Sequence, residues 1–154
     1  MEFEKLFIES KGQPIKYKGK ELKMIDRVAL PASKILLQID FIATDSIWTQ
    51  GIVLQTKGEF EVNGQKMPNK TVLWEDTAPK QVKIIITSKD KTLCIYNVWE
   101  ITDHLGNKVT HYWYNGGALF LEKINETTTI YHCNDGFPDD DFDDLIFKVE
   151  VQTI

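Results

Sequence analysis

Apolar residues recur at every second position along most of this chain, and a period of two is the signature of β-strands. Residues 145–151 set Phe147, Val149 and Val151 against Lys148 and Glu150; Phe60 and Val62 alternate with Glu59 and Glu61. Residues 35–43, 51–56, 72–74, 82–87, 93–101, 110–114, 118–124 and 127–133 read as further strands. Between them stand turn signals. Asn63-Gly64 is the strongest, because a two-residue hairpin needs positive φ at both positions. Leu105-Gly106-Asn107, Asn115-Gly116-Gly117 and Asn125-Glu126 mark others, and Lys89-Asp90-Lys91 reads as a polar turn. About nine to ten short strands with turns at such regular spacing predict an all-β fold, an antiparallel, jelly-roll-like β-sandwich, with helix below about one tenth. A helix over residues 21–29 is disfavoured by Val28 and Pro31. No repeat or linker interrupts the 154 residues, so a single domain over 1–154 is expected. The strongest apolar runs nominate Leu37, Ile39, Val53, Ile85, Trp99, Phe120, Phe147 and Val149 as core.

The net charge of −5 is unevenly spread. From Asp135 onward seven acids face one base, Lys148; the preceding residues hold 16 acids and 17 bases. No basic stripe is visible, which argues against nucleic acid as a partner. No run approaches the length of a transmembrane helix, and the opening MEFEKLFIES is too acidic for a secretory signal. The chain is therefore expected in the cytoplasm, away from membranes. Cys94 and Cys133 form no CxxC and read as buried, inert thiols.

The acidity concentrates in Cys133-Asn-Asp-Gly-Phe-Pro-Asp-Asp-Asp-Phe-Asp-Asp-Leu-Ile-Phe147. Asp139, Asp141 and Asp143 alternate, Asp140 and Asp144 lie beside them, and Asp135 precedes them on a turn that Pro138 makes firmer. Alternating carboxylates let several oxygens converge, which suits a hard cation such as calcium. Asp135, Asp139, Asp141, Asp143 and Asp144 are the candidate metal ligands. The alternatives are a self-capped, solvated loop or a contact for a basic protein partner. Residues 139–147 resemble the D-x-D-[FY]-x-D-[LIV]-x-F motif of bacterial extracellular calcium-associated β-domains, through Asp139, Asp141, Phe142, Asp144, Leu145 and Phe147. That resemblance implies calcium as cofactor. The segments LWEDTAP, YNVWE, YNGGALF and YHCNDGFPDDDFDDLIF together resemble small bacterial β-rich proteins, a likeness that implies no activity.

A second candidate is an aromatic and amide face. Asn97 and Trp99 are two apart on one expected strand; His111, Trp113 and Asn115 are two apart on the next. Residues two apart share a face, and a hairpin at residues 105–107 would bring the two faces together. Such a face could stack a sugar ring and bond its edges. The competing reading places both tryptophans in the core. Phosphate loops, GxSxG and HExxH are absent, and His104, His111 and His132 lack metal spacing. Glu75 and Asp76 could in principle work with the Asp cluster, but read first as a turn before Pro79. Three functions follow in order: a non-enzymatic binding domain for carbohydrate or another small polar ligand; an immunity- or antitoxin-type interaction protein; and a hydrolase or isomerase on a β-sandwich scaffold.

Overall fold

A computed structural model describes residues 3–137 and 139–154. In chain order the elements are helix α1 (Phe3–Glu9) and strands β1 (Ile15–Tyr17), β2 (Lys20–Leu22), β3 (Asp26–Ala29), β4 (Lys34–Thr44), β5 (Thr49–Val62), β6 (Gln65–Met67), β7 (Lys70–Trp74), β8 (Gln81–Thr102), β9 (Lys108–His111), β10 (Ala118–Lys123), β11 (Thr128–Asn134) and β12 (Leu145–Thr153). A single 3-10 turn, Trp113–Asn115, separates β9 from β10. The protein is all-β and antiparallel, 61% strand and 7% helix.

Ten strands form one sheet, in the order β10-β11-β12-β4-β8-β5-β6, with β3 and β9 on β8 and β7 on β5; β1 and β2 make a separate ribbon. The layers are therefore parts of one sheet that folds over on itself. The long strands β5 and β8 make this possible. β8 pairs β4 through residues 81–87, then β3 through 92–95, then β9 through 99–102. Along its other edge it pairs β5 in two stretches, broken by a bulge between Thr56 and Gly58. At that corner a Cβ on Gly58 would sit 1.8 Å from the Thr87 carbonyl oxygen, so only glycine lets the strands meet. The corner is polar and satisfied: the buried Thr56 hydroxyl donates to Ser88 Oγ at 2.8 Å, and Asp90 Oδ1 accepts from Thr92 N.

Folding over brings the sheet's ends together. Lys23 and Leu119 exchange backbone hydrogen bonds of 2.8 and 3.0 Å, tying the segment before β3 to β10. Asn97 Nδ2 on β8 donates to the Asn134 carbonyl on β11 at 2.9 Å. Inside lies one apolar core, with Ile35, Leu37 and Ile39 from β4, Ile84 and Ile86 from β8, and Phe147 and Val149 from β12. A smaller cluster closes one end. Phe3 and Phe7, four apart on α1 and so on one face, pack with Leu22, Ala118 and Phe142.

Several expectations change in detail. Leu37, Ile39, Val53, Trp99, Phe147 and Val149 are buried, but Ile85 and Phe120 are half-buried. Ile85 lies between Ile84 and Ile86, and alternation turns it to the other face. Residues 89–91 do not reverse the chain: β8 runs through them, and the turn signal appears as a corner, with Lys91 at φ 55°. The segment 21–29 carries the end of β2, an isolated bridge at Lys23 and the whole of β3. The helix lies at Phe3–Glu9 instead, a segment of two turns. The Asn63-Gly64 hairpin forms with φ of 52° and 76°, as its residues require. Pro138 lies outside the described residues.

Candidate functional site

The loop from β11 to β12 carries the acidic segment, and Asn134 shapes it. This residue is fully buried; its Nδ2 donates to the Asp139 carbonyl at 2.8 Å and its Oδ1 accepts from Phe142 N at 2.6 Å. Phe142 adopts φ 56°, the left-handed region, and buries its ring against Phe3 and Phe120 at centroid distances of 5.7 and 5.3 Å.

Asp135 turns inward. Its Oδ2 accepts from Ser46 Oγ at 2.5 Å and Gln50 Nε2 at 3.1 Å, and its Oδ1 accepts from Phe137 N at 2.9 Å. Its own N–H donates to Asp144 Oδ2 at 2.9 Å. Asp144 is 3% exposed. Burial first, with the charges of Asp135 and Asp139, lifts its carboxyl from 3.8 to about 7, against the pull of the Asp135 N–H.

Outside this pair lies a pocket of about 350 Å³, lined by Asp45, Asp139, Asp141, Asp143 and Asp144 with Ser46, Ile47 and Phe137. Partial burial, then the charges of Asp141, Asp135 and Asp143, raises the Asp139 carboxyl; partial burial, then Asp45 and Asp141, raises that of Asp143. Among the described residues no lysine or arginine lines the pocket, and none pairs with Asp45, Asp139, Asp141 or Asp143. Its lip is apolar. Ile47 is 85% exposed and Phe137 51%, the latter edge-on to Trp48 at 6.4 Å. Asp140 points elsewhere, to Lys18 Nζ at 2.6 Å and Tyr17 Oη at 3.2 Å, and those contacts hold its carboxyl below the usual value.

Of the five candidate metal ligands, four line the pocket, while Asp135 is committed to Ser46, Gln50 and Phe137. Among the described residues no group of three or more histidine, cysteine or acidic side chains has metal-holding geometry. Asp45 was missed: it lies on the turn between β4 and β5, and nothing in its local sequence links it to residues 139–144.

The aromatic and amide face does not assemble. β9 ends at His111, and Trp113–Asn115 is the 3-10 turn, so two-residue alternation does not apply there. His111 does pair across from Trp99, their rings 6.1 Å apart. Trp99, however, is fully buried in a slot walled by Gly117 and Gly136, where added Cβ atoms would approach its ring to 2.6 and 3.1 Å. Gly117 thus serves the tryptophan's seat. Asn97 is buried and committed to Asn134; Trp113 is half-buried and edge-on to Phe7 at 6.5 Å; Asn115 is exposed, its side chain accepting from Tyr112 N at 3.1 Å. Trp99 Nε1 and its cross-strand neighbour's Gln50 Oε1 are buried without a partner among the described residues.

Glu75 lines a different pocket from the Asp cluster. His132 bonds Glu122 at 2.9 Å and stacks on Phe120. Cys133 is buried, and burial pushes its thiol up, whereas Cys94 is half-buried. Among the described residues no helix is long and apolar enough to cross a membrane. Compared with known protein families, curated proteins and solved structures, the chain matches none.

Proposed function

We propose that this protein is a non-enzymatic binding protein whose aspartate pocket takes a basic group presented by a protein partner. The supporting observation is the pocket itself: five aspartates line it without a lysine or arginine among the described lining residues, beneath an exposed Ile47 and Phe137. A lysine or arginine side chain matches both features. Its charged head enters among the carboxylates and its apolar stem lies along the lip. A bare divalent ion would use the carboxylates and leave the apolar lip idle. Carbohydrate loses its support once Trp99 is buried. The reading is that of an interaction protein of the immunity or antitoxin type, opposed to a basic partner in the cytoplasm. Local acidity steers such partners together.

The test is calorimetric titration with a tetra-arginine amide peptide, with calcium run in parallel. Binding is expected to weaken by about tenfold or more in Asp139→Asn/Asp143→Asn, since two charge contacts are lost, and to weaken with added salt. Ile47→Ser is expected to weaken it less. A peptide silent to about 1 mM overturns the reading. Calcium raising the melting temperature, with Asp141→Asn abolishing the rise, would replace it with a cation site.

A further inference from the structure

A second concavity, of about 640 Å³, lies elsewhere, where the folded-over sheet fails to close. The Lys23–Leu119 bridge joins the two ends; beyond it β3 diverges from β10 and leaves a cleft between β3 and the strands β10, β11 and β12. Sequence gave no sign of it, because its walls come from distant segments. Its volume is in the range that houses small organic ligands.

Its chemistry has two parts. The apolar part is Val28 and Leu30 on one side and Leu121, Val149 and Val151 on the other. The polar part begins with Asp26, a carboxylate 4% exposed that accepts from Tyr131 Oη at 2.5 Å and Lys23 Nζ at 3.2 Å. That trio is internally satisfied: the lysine offsets the carboxylate, and burial, then the nearby Asp26, pushes the Tyr131 phenol well above its usual value, keeping it a neutral donor. Thr129 is 8% exposed and lines the cleft. Its hydroxyl makes no side-chain hydrogen bond among the described residues. The rim carries Arg27, Lys123 and Glu126, and none of them makes an ion pair among the described residues. Two cations against one carboxylate leave the rim one positive charge in excess, in a protein of net charge −5.

We propose that this cleft binds a small apolar monoanion, a carboxylate with an extended hydrocarbon body. The body lies on the valines and leucines, the carboxylate meets Arg27 and Lys123, and the Thr129 hydroxyl donates to it. A neutral apolar ligand would leave the excess charge unused. A polar anion such as phosphate would leave the apolar wall wet. The site shares no residue with the aspartate pocket, so it stands or falls independently of the function proposed above.

The experiment is calorimetric titration with octanoate, decanoate and the neutral decanol. Decanoate is expected to bind more tightly than octanoate by roughly fourfold per added methylene, the gain from burying each. It is also expected to bind more tightly than decanol. Arg27→Ala and Lys123→Ala, both at exposed positions that leave the fold intact, are each expected to weaken decanoate several-fold while leaving decanol unchanged. Asp139→Asn/Asp143→Asn is expected to leave decanoate binding unchanged. Decanoate silent to about 1 mM overturns the proposal. Equal affinity for decanoate and decanol, or decanoate binding indifferent to both substitutions at the rim, overturns it as well.

Discussion

Replacing Asp144 by asparagine tests whether its buried carboxyl under the pocket keeps a proton in the folded protein. Asp144 is 3% exposed, receives the Asp135 N–H at 2.9 Å, and has its carboxyl lifted to about 7. Between its ordinary value of 3.8 and that raised value, the folded protein keeps a proton that the unfolded chain has released. Where the unfolded state binds fewer protons, stability falls as pH rises. At about 1.4 kcal/mol per pH unit, that fall is at most about 4 kcal/mol between pH ~4 and pH ~7. Asparagine keeps the shape, still accepts from the Asp135 N–H and never ionises. The variant is therefore expected to match the parent near pH 4 and to exceed it at pH 8 by up to about 4 kcal/mol. The assay is urea unfolding of both proteins at each pH from about 4 to 8, with the slope against urea checked to be unchanged. Asp139 and Asp143, raised in the same direction, and Asp140, lowered, bend both curves alike and largely cancel in the difference. A difference independent of pH, or a variant less stable than the parent at pH 8, refutes the reasoning.

Gly58→Ala is expected to destabilise by about 3 kcal/mol or more in urea unfolding, because its Cβ would meet backbone rather than a side chain that can move away. Phe147→Ala is expected to cost about 3 to 5 kcal/mol by the same assay, since the ring is fully buried and stacks on Tyr131 at 4.7 Å.

What sequence conveyed was local. Alternation located β10, β11 and β12 to within a few residues, because a half-buried strand must put apolar side chains on one face, and a largely apolar run located β4. Asn63-Gly64 and Asn125-Glu126 made the hairpins their residues specify, the second capped by Asn125 Oδ1 on the Thr127 and Thr128 amides. Alternation failed where it was extended past a strand's end, as at Trp113 and Asn115, since a 3-10 turn rotates side chains by about a third of a circle per residue. The acidic pocket was half visible. Its residues on the loop after β11 are contiguous in the chain, but Asp45 reaches them only through the pairing of β4 with β12. The cleft beside β3 was invisible for the same reason, because it exists only where two distant edges part.

A loop crowded with like charges should spread, and this one is held closed by apolar packing and buried amides. Carboxylates at residues 139, 141, 143 and 144 repel one another, and burial first, then that repulsion, raises the Asp139, Asp143 and Asp144 carboxyls. Against that repulsion Asn134 ties the loop at two points, Asp139 and Phe142, and is itself tied to β8 by Asn97. Phe142 then enters an apolar cluster whose other half is α1, more than a hundred residues earlier. A phenylalanine with positive φ costs about 1 to 2 kcal/mol, comparable with what burying its ring returns. The strain is tolerable because Phe3, Phe120 and Asn134 all require the same placement. Asp140 adds a link to the β1–β2 ribbon through Lys18 and Tyr17. The consequence reaches binding. Carboxylates held in place by the fold do not have to be ordered by an arriving cation, so in the binding proposed above more of the contact energy would appear as affinity. The N-terminal helix, which lines no part of the pocket, would then help set how tightly the pocket binds.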